Sequence, residues 1–141
     1  MHGQHMIKML SATQKVIALA SAESEYYSMV RGAAAGIGLV NLAADFGRSL
    51  RLRLQADATG AIGIARRRGA GRVRHIETGT LWLQRHITAK TIDVTKIPGL
   101  QNWADLGTKH LPWADLAKCV KGLGFVFSTG RARSALDIAT G

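Results

Sequence analysis

The segment from Leu50 to Asp57 limits the possible folds most, because it has the pattern of a half-buried β-strand and ends on an acidic residue. Apolar and polar residues alternate through it, in the order Leu50, Arg51, Leu52, Arg53, Leu54, Gln55, Ala56. A period of two is typical of a strand with one buried face. Helical patterns occur on both sides of it in the sequence. We therefore expect an α/β domain with a mixed sheet flanked by helices.

The longest helical pattern precedes this strand. Its apolar residues recur at helical spacing from Tyr26 to Val40, with Ser21 as a candidate N-cap and Gly47 as a candidate stop. Glycines are poor helix formers, and three of them lie inside this pattern. They predict either close packing against a neighbouring element or a break near the middle of the helix.

The elements predicted after the strand are a short helix over Ala61–Ala65, a long helix through Ile76–Ile87, a strand over Thr91–Ile97 and a helix over Trp113–Leu123. Residues 6–19 are predicted to contain one or two short strands. The chain is short enough for one domain, which we place over residues 6–125, followed by a poorly ordered tail over residues 128–141. The tryptophans at positions 82, 103 and 113 are expected to belong to the core.

The charge balance favours a polyanionic partner. The chain has 19 lysines and arginines against 9 acidic residues, a formal net charge of +10. Such an excess suits nucleic acid, whose counterions are released when phosphates are neutralised. A basic but passive solvated surface is the alternative. The single cysteine, Cys119, and the lack of a signal peptide or membrane span predict an intracellular chain with no membrane contact.

Acidic residues are few, and three of them lie at the ends of predicted elements. Asp57 follows a strand, Glu25 is in the first turns of a helix, and Asp105 begins a helix after the next strand. Carboxylates at one edge of a sheet can share Mg²⁺, which prefers hard oxygen ligands. An aspartate at a strand end is also common as a helix cap or a solvated residue, so spacing alone leaves both interpretations open.

Four stretches occur in the order of the copia-type retrotransposon ribonuclease H domain and resemble its motifs. They are IALASAESEYY (Ile17–Tyr27), QADATGAIGIA (Gln55–Ala65), VRHIE (Val73–Glu77) and NWADLGTKHL (Asn102–Leu111). The resemblance covers residues 6–125. It implies a ribonuclease H-like fold that cuts the RNA strand of an RNA–DNA hybrid as part of a reverse transcriptase polyprotein.

The resemblance also implies a set of site residues. The acidic ligands of two Mg²⁺ or Mn²⁺ ions correspond to Glu25, Asp57 and Asp105. Glu23 is the alternative to Glu25 for the first of these positions. The family carries a further aspartate on its first strand, but no acidic residue precedes Glu23 in this sequence. We therefore expect the first one or two strands of the family sheet to be missing. Ala58 replaces a usual asparagine and Arg74 replaces a usual lysine.

A basic cluster follows the short helix, and it is the candidate surface for nucleic acid. Its members are Arg66, Arg67, Arg68, Arg72, Arg74 and His75. Arginines spaced this closely favour contacts with a phosphate backbone over a plain solvated loop. His75 fits either a phosphate contact or a structural role at a helix end.

The sequence therefore supports two hypotheses. The first is a metal-dependent endonuclease module whose carboxylates hold the ions and whose basic cluster holds the hybrid. The second is a catalytically dead retroelement remnant that at most binds nucleic acid. The missing first aspartate distinguishes them, because a site that lacks one ligand should cut slowly or not at all.

Overall fold

The computed structural model describes residues 6–10, 21–71, 76, 78–106 and 109–125. Its helices and strands are α1 (Ser21–Asp45), β1 (Leu52–Ala56), α2 (Thr59–Arg66), α3 (Trp82–Thr88), β2 (Ile92–Lys96) and α4 (Trp113–Gly122). The chain divides into two compact units, Ala12–Asn102 and the combination of Met1–Ser11 with Trp103–Gly141. An α/β architecture is therefore present. One domain over residues 6–125 stays a prediction, and the predicted tail lies outside the described residues.

Helix α1 runs unbroken through its glycines. Of the two predicted alternatives, the structure therefore has close packing against a neighbouring element and not a break near the middle of the helix. A Cβ atom at Gly36 would lie 2.6 Å from Leu52 Cδ1, so a larger residue there would collide with β1. Gly47 ends the helix with φ +71°. The Arg48 and Gly47 amides donate to the Ala43 and Ala44 carbonyls, both at 2.8 Å. This is the Schellman arrangement, which glycine favours at its left-handed position.

Strands β1 and β2 pair in parallel, with Leu52 opposite Ile92 and Ala56 opposite Lys96. Both strands lie within the predicted segments, and β1 is two residues shorter at its start. Among the described residues the sheet has these two strands. Residues 6–10 form no strand, and residues 11–19 lie outside the described part of the chain.

The second long helix is much shorter than predicted. A 3₁₀ turn at Thr78–Thr80 precedes α3, which has only 7 residues. A glycine between two β-branched threonines has low helix propensity, and Lys90, with φ 57°, ends the helix in a left-handed conformation. The apolar period from Ile76 to Ile87 therefore comes from a turn followed by a helix.

The core of the first unit lies between α1, α2, α3 and the sheet. Tyr26 and Leu83 are its largest fully buried side chains. Tyr26 also donates a hydrogen bond from its hydroxyl to the Thr80 carbonyl at 2.9 Å. This bond links α1 to the turn before α3. Trp82 is packed against this core as predicted, but it is only partly buried.

The Tyr26 hydroxyl should make stability sensitive to alkaline pH. Burial raises the pKa of Tyr26 from 10.0 to about 12. The unfolded chain then loses this proton near pH 10 and the folded chain near pH 12. The contribution of the protonated Tyr26 hydroxyl to the free energy of unfolding is therefore complete below pH 10. It falls by about 2–3 kcal/mol in total as the pH rises to 12. Tyr26→Phe should remove this loss and cost about 1 kcal/mol at neutral pH. Urea unfolding of the unaltered chain and of Tyr26→Phe across pH 8–12 measures the free energy of unfolding of each. Identical pH profiles for the two would contradict this prediction.

In the second unit, α4 packs on the indole of Trp103. A Cβ atom at Gly122 would lie 2.7 Å from Trp103 Cζ2, so this glycine allows the close approach. Trp113, the first residue of α4, is 69% exposed. The prediction that Trp113 belongs to the core is therefore wrong, because this residue lies on the exposed side of α4. Among the described residues, no helix is long and apolar enough to cross a membrane.

Candidate nucleic-acid and metal site

Asp57 lies at the carboxyl edge of the sheet, directly after β1. Because the two strands are parallel, their carboxyl ends meet at this edge, and the Ile97 amide donates to the Ala56 carbonyl at 3.0 Å. A Cβ atom at Gly99 would lie 3.6 Å from Asp57 Oδ2. Asp57 is partly exposed, and among the residues that the structure describes none forms an ion pair with it. Its carboxylate is thus available at the surface of the edge.

Lys96 and Thr59 add a cation and a hydroxyl to the same edge. Lys96 Nζ donates to Thr59 Oγ1 at 2.7 Å, joining the end of β2 to the first residue of α2. Neither residue was predicted from the sequence. The signal available in the sequence was their position. Thr59 begins a helix two residues after Asp57, and Lys96 ends a strand two residues before Pro98.

The start of α1 approaches this region through α2. A Cβ atom at Gly60 would lie 2.8 Å from the Cβ of Ala22, so the first turns of the two helices touch. Ala22 immediately precedes Glu23 and is three positions from Glu25. Glu23 is buried, with 3% of its surface exposed, whereas Glu25 is exposed. The start of α1 thus packs against the start of α2, and the two candidate glutamates have opposite environments.

A pair of glycines in α2 tests this contact. Gly60→Ala should destabilise the chain by about 1–3 kcal/mol, because the added methyl collides with Ala22. Gly63→Ala is the matched control, since its methyl meets nothing within 4 Å, and it should stabilise the helix by about 0.5–1 kcal/mol. Thermal unfolding of both variants measures the difference. Equal shifts for the two would show that α1 and α2 do not meet at Gly60.

Asp105 lies in the second unit, in a 3₁₀ turn at Trp103–Asp105. Its Oδ1 forms an ion pair with Lys109 Nζ at 2.8 Å, and its side chain is 17% exposed. Across the described ranges, no group of three or more His, Cys, Asp or Glu side chains is placed to hold a metal ion. A joint site of Glu25, Asp57 and Asp105 therefore stays a prediction.

The basic cluster is divided between internal and outward roles. Arg66 Nη2 donates to the Val94 carbonyl at 2.9 Å, and Arg67 Nη2 donates to the Ala70 carbonyl. Arg68 is exposed and makes no ion pair with any residue that the structure describes. Arg66 thus joins the end of α2 to β2, and Arg67 braces the loop that follows α2. Arg72, Arg74 and His75 lie outside the described residues.

Gln84 of α3 holds this loop in place. Its Nε2 donates to the carbonyls of Ile64 and Gly69 at 2.8 and 3.0 Å, and its Oε1 accepts from the Gly69 amide at 2.8 Å. The side chain is buried, with 4% of its surface exposed. A buried amide with all these bonds made is a structural anchor. The sequence offered no signal for it, because Gln84 is followed by Arg85 and a polar pair of this kind is usual on a solvated helix face.

The carboxyl edge combines groups that can act on a phosphodiester. Asp57 supplies a hard oxygen ligand, and Lys96 supplies a positive charge at the end of β2, where it binds Thr59. Mg²⁺ is commonly held by one or two carboxylates together with phosphates of the substrate, so a full set of protein ligands is not required for it to bind. Comparisons of the chain with models of known protein families, with curated proteins and with solved structures find no match.

Proposed function

We propose that this chain is a metal-dependent endonuclease module of the ribonuclease H type from a copia-type retroelement polyprotein. It would cut the RNA strand of RNA–DNA hybrids. The observation that carries the proposal is the contact between Gly60 and Ala22. That contact packs the start of α1, which carries both glutamates, against the start of α2, which follows Asp57 in the chain. The four sequence motifs resemble the family in the same order, and their first two belong to these elements.

The ribonuclease H-like fold is part of this proposal. A long helix leads into a strand that is followed by an acidic residue, and a parallel strand comes after two shorter helices. This order of elements supports the proposed fold. The upstream reverse transcriptase segment of the polyprotein would be the natural partner, inside the cell.

In the proposed reaction, the chain's own residues bind and orient the hybrid. Asp57 and a glutamate of α1 would hold Mg²⁺, or Mn²⁺, jointly with the scissile phosphate, and Lys96 would offset the charge of that phosphate. With an ion held there, the chemistry supplied would be activation of a water molecule and stabilisation of the leaving oxygen. Glu25 is the better candidate of the two glutamates, because its exposed carboxylate can reach an ion without first being uncovered.

A cleavage assay with matched aspartate variants tests this function. The chain, at high concentration with Mg²⁺, is expected to cut a labelled RNA–DNA hybrid slowly. Asp57→Asn should lower the rate by roughly a hundredfold, a loss ordinary for a misplaced catalytic group. Asp93→Asn is the control, because Asp93 lies within β2 and pairs with Arg51 at 4.0 Å. If both variants cut equally, the site assignment is wrong. Fast cleavage that Asp57→Asn abolishes would show that the missing first aspartate is dispensable.

A second candidate function is a remnant that binds nucleic acid without cutting it. The ion pair between Asp105 and Lys109 and the lack of a three-ligand group in the described residues favour this alternative. It predicts that the hybrid binds but that no metal-dependent product forms, even after long incubation. The same assay, run with a binding measurement beside it, separates the two functions.

A further inference from the structure

A pocket of about 660 Å³ lies beside α3, away from the carboxyl edge, and its residues all belong to the first unit. Its walls include Arg68, Trp82, Arg85, Thr78 and Gly79. The volume is within the range of about 300–1,000 Å³ that is usual for sites of small molecules. No acidic residue is among the described residues that line it.

Two arginines make this pocket attractive to a phosphate. Arg68 and Arg85 are both exposed, and neither forms an ion pair with another described residue. Gln84 anchors the backbone next to Arg68, because it binds both the amide and the carbonyl of the neighbouring Gly69. Guanidinium groups bind phosphate oxygens through paired donors. A phosphate between the two arginines would not have to displace a carboxylate.

Trp82 adds a surface suited to a nucleobase. Its ring lies 5.4 Å from that of His86, in a T-shaped arrangement that helps to hold the indole in one orientation. Trp82 is only partly buried and also lines the pocket. An aromatic ring beside a cationic groove is the combination that binds unpaired bases together with their phosphates.

We infer that this pocket binds an unpaired nucleotide, with its phosphate at Arg68 and Arg85 and its base against Trp82. This inference and the proposed endonuclease function share only nucleic acid as the ligand. The nucleotide is either free or one unit of a single strand. A paired base could not stack on Trp82, because its faces are covered in the duplex. The pocket therefore favours single strands over duplexes.

Fluorescence anisotropy with a labelled single-stranded thymidine octanucleotide at low salt tests the inference. Arg68→Gln and Arg85→Gln should each weaken binding about tenfold, the effect of losing one charged hydrogen bond. Arg48→Gln and Arg53→Gln remove the same charge from exposed positions away from the pocket and should have much smaller effects. An octamer of abasic units with the same phosphates should bind at least about fivefold more weakly. Equal effects of all four variants, or equal binding of the abasic octamer, would overturn the inference.

A second measurement uses tryptophan emission. The octanucleotide should quench it in the unaltered chain, and Trp82→Phe should remove most of the quenching, since Trp103 and Trp113 do not line the pocket. Quenching that survives in Trp82→Phe would contradict stacking. Competition by thymidine monophosphate would assign the pocket to free nucleotides, and competition by the strand alone would assign it to a strand. Asp57→Asn should leave this binding unchanged, so failure of the endonuclease proposal and failure of this one give different results.

Discussion

Binding of an RNA–DNA hybrid is expected to weaken by roughly a thousandfold when the salt concentration rises from 50 to 200 mM. The chain carries a formal net charge of +10, and each arginine or lysine that neutralises a phosphate releases a condensed counterion. A loss of this size corresponds to about six phosphate contacts. Titration of a labelled hybrid at a series of salt concentrations measures the slope directly.

A parallel titration with sucrose in place of added salt controls for effects other than ionic strength, and it should leave the affinity nearly unchanged. Arg68→Gln should reduce the slope by about one contact, because Arg68 is exposed. A change in affinity of less than about threefold across the salt range would show that phosphate contacts do not drive binding.

Leu83→Ala is expected to lower the free energy of unfolding by about 2–5 kcal/mol. Leu83 is fully buried in the core of the first unit, so its truncation removes apolar contacts and leaves a cavity. Since a folded protein of this size is stable by only about 5–15 kcal/mol, the loss is a large part of the total. The neighbouring Gln84 holds the basic loop, so a weakened core should also loosen that loop.

Leu42→Ala is the matched control for this change. Leu42 is 52% exposed on α1, and its truncation should cost well under 1 kcal/mol. Urea unfolding followed by circular dichroism compares the two variants with the unaltered chain. Similar midpoints for Leu83→Ala and Leu42→Ala would mean that Leu83 is not part of a packed core.

The sequence predicted best those elements whose apolar residues follow one clear period. The alternation that ends at Ala56 became β1, and the stripe from Tyr26 became α1. It failed at Thr78–Thr80, where a turn and a short helix together imitate the period of one long helix. The close approach of Gly36 to Leu52 of β1 is a tertiary contact, so no local pattern in the helix reveals it.

The candidate site was predictable only in part. The place of Asp57 directly after a strand was predicted because the end of that strand is visible in the sequence, and α1 was predicted from its apolar stripe. The different burial of Glu23 and Glu25 depends on which side of the helix meets α2. The pocket at Trp82 was not predictable, because Arg68 and Arg85 lie on different elements and line one pocket only after the loop has packed on α3.

The parallel pairing of β1 with β2 has a consequence for how the first unit folds. Each backbone pair, such as Leu52 with Ile92, joins residues about 40 positions apart, with α2 and α3 between them. The chain must therefore close a long connection before any sheet hydrogen bond forms, which slows folding relative to a bundle of local helices. A protease cut near Gly69 would place the two strands on separate fragments. The sheet would then persist only as a complex of two chains, and its stability would depend on their concentration.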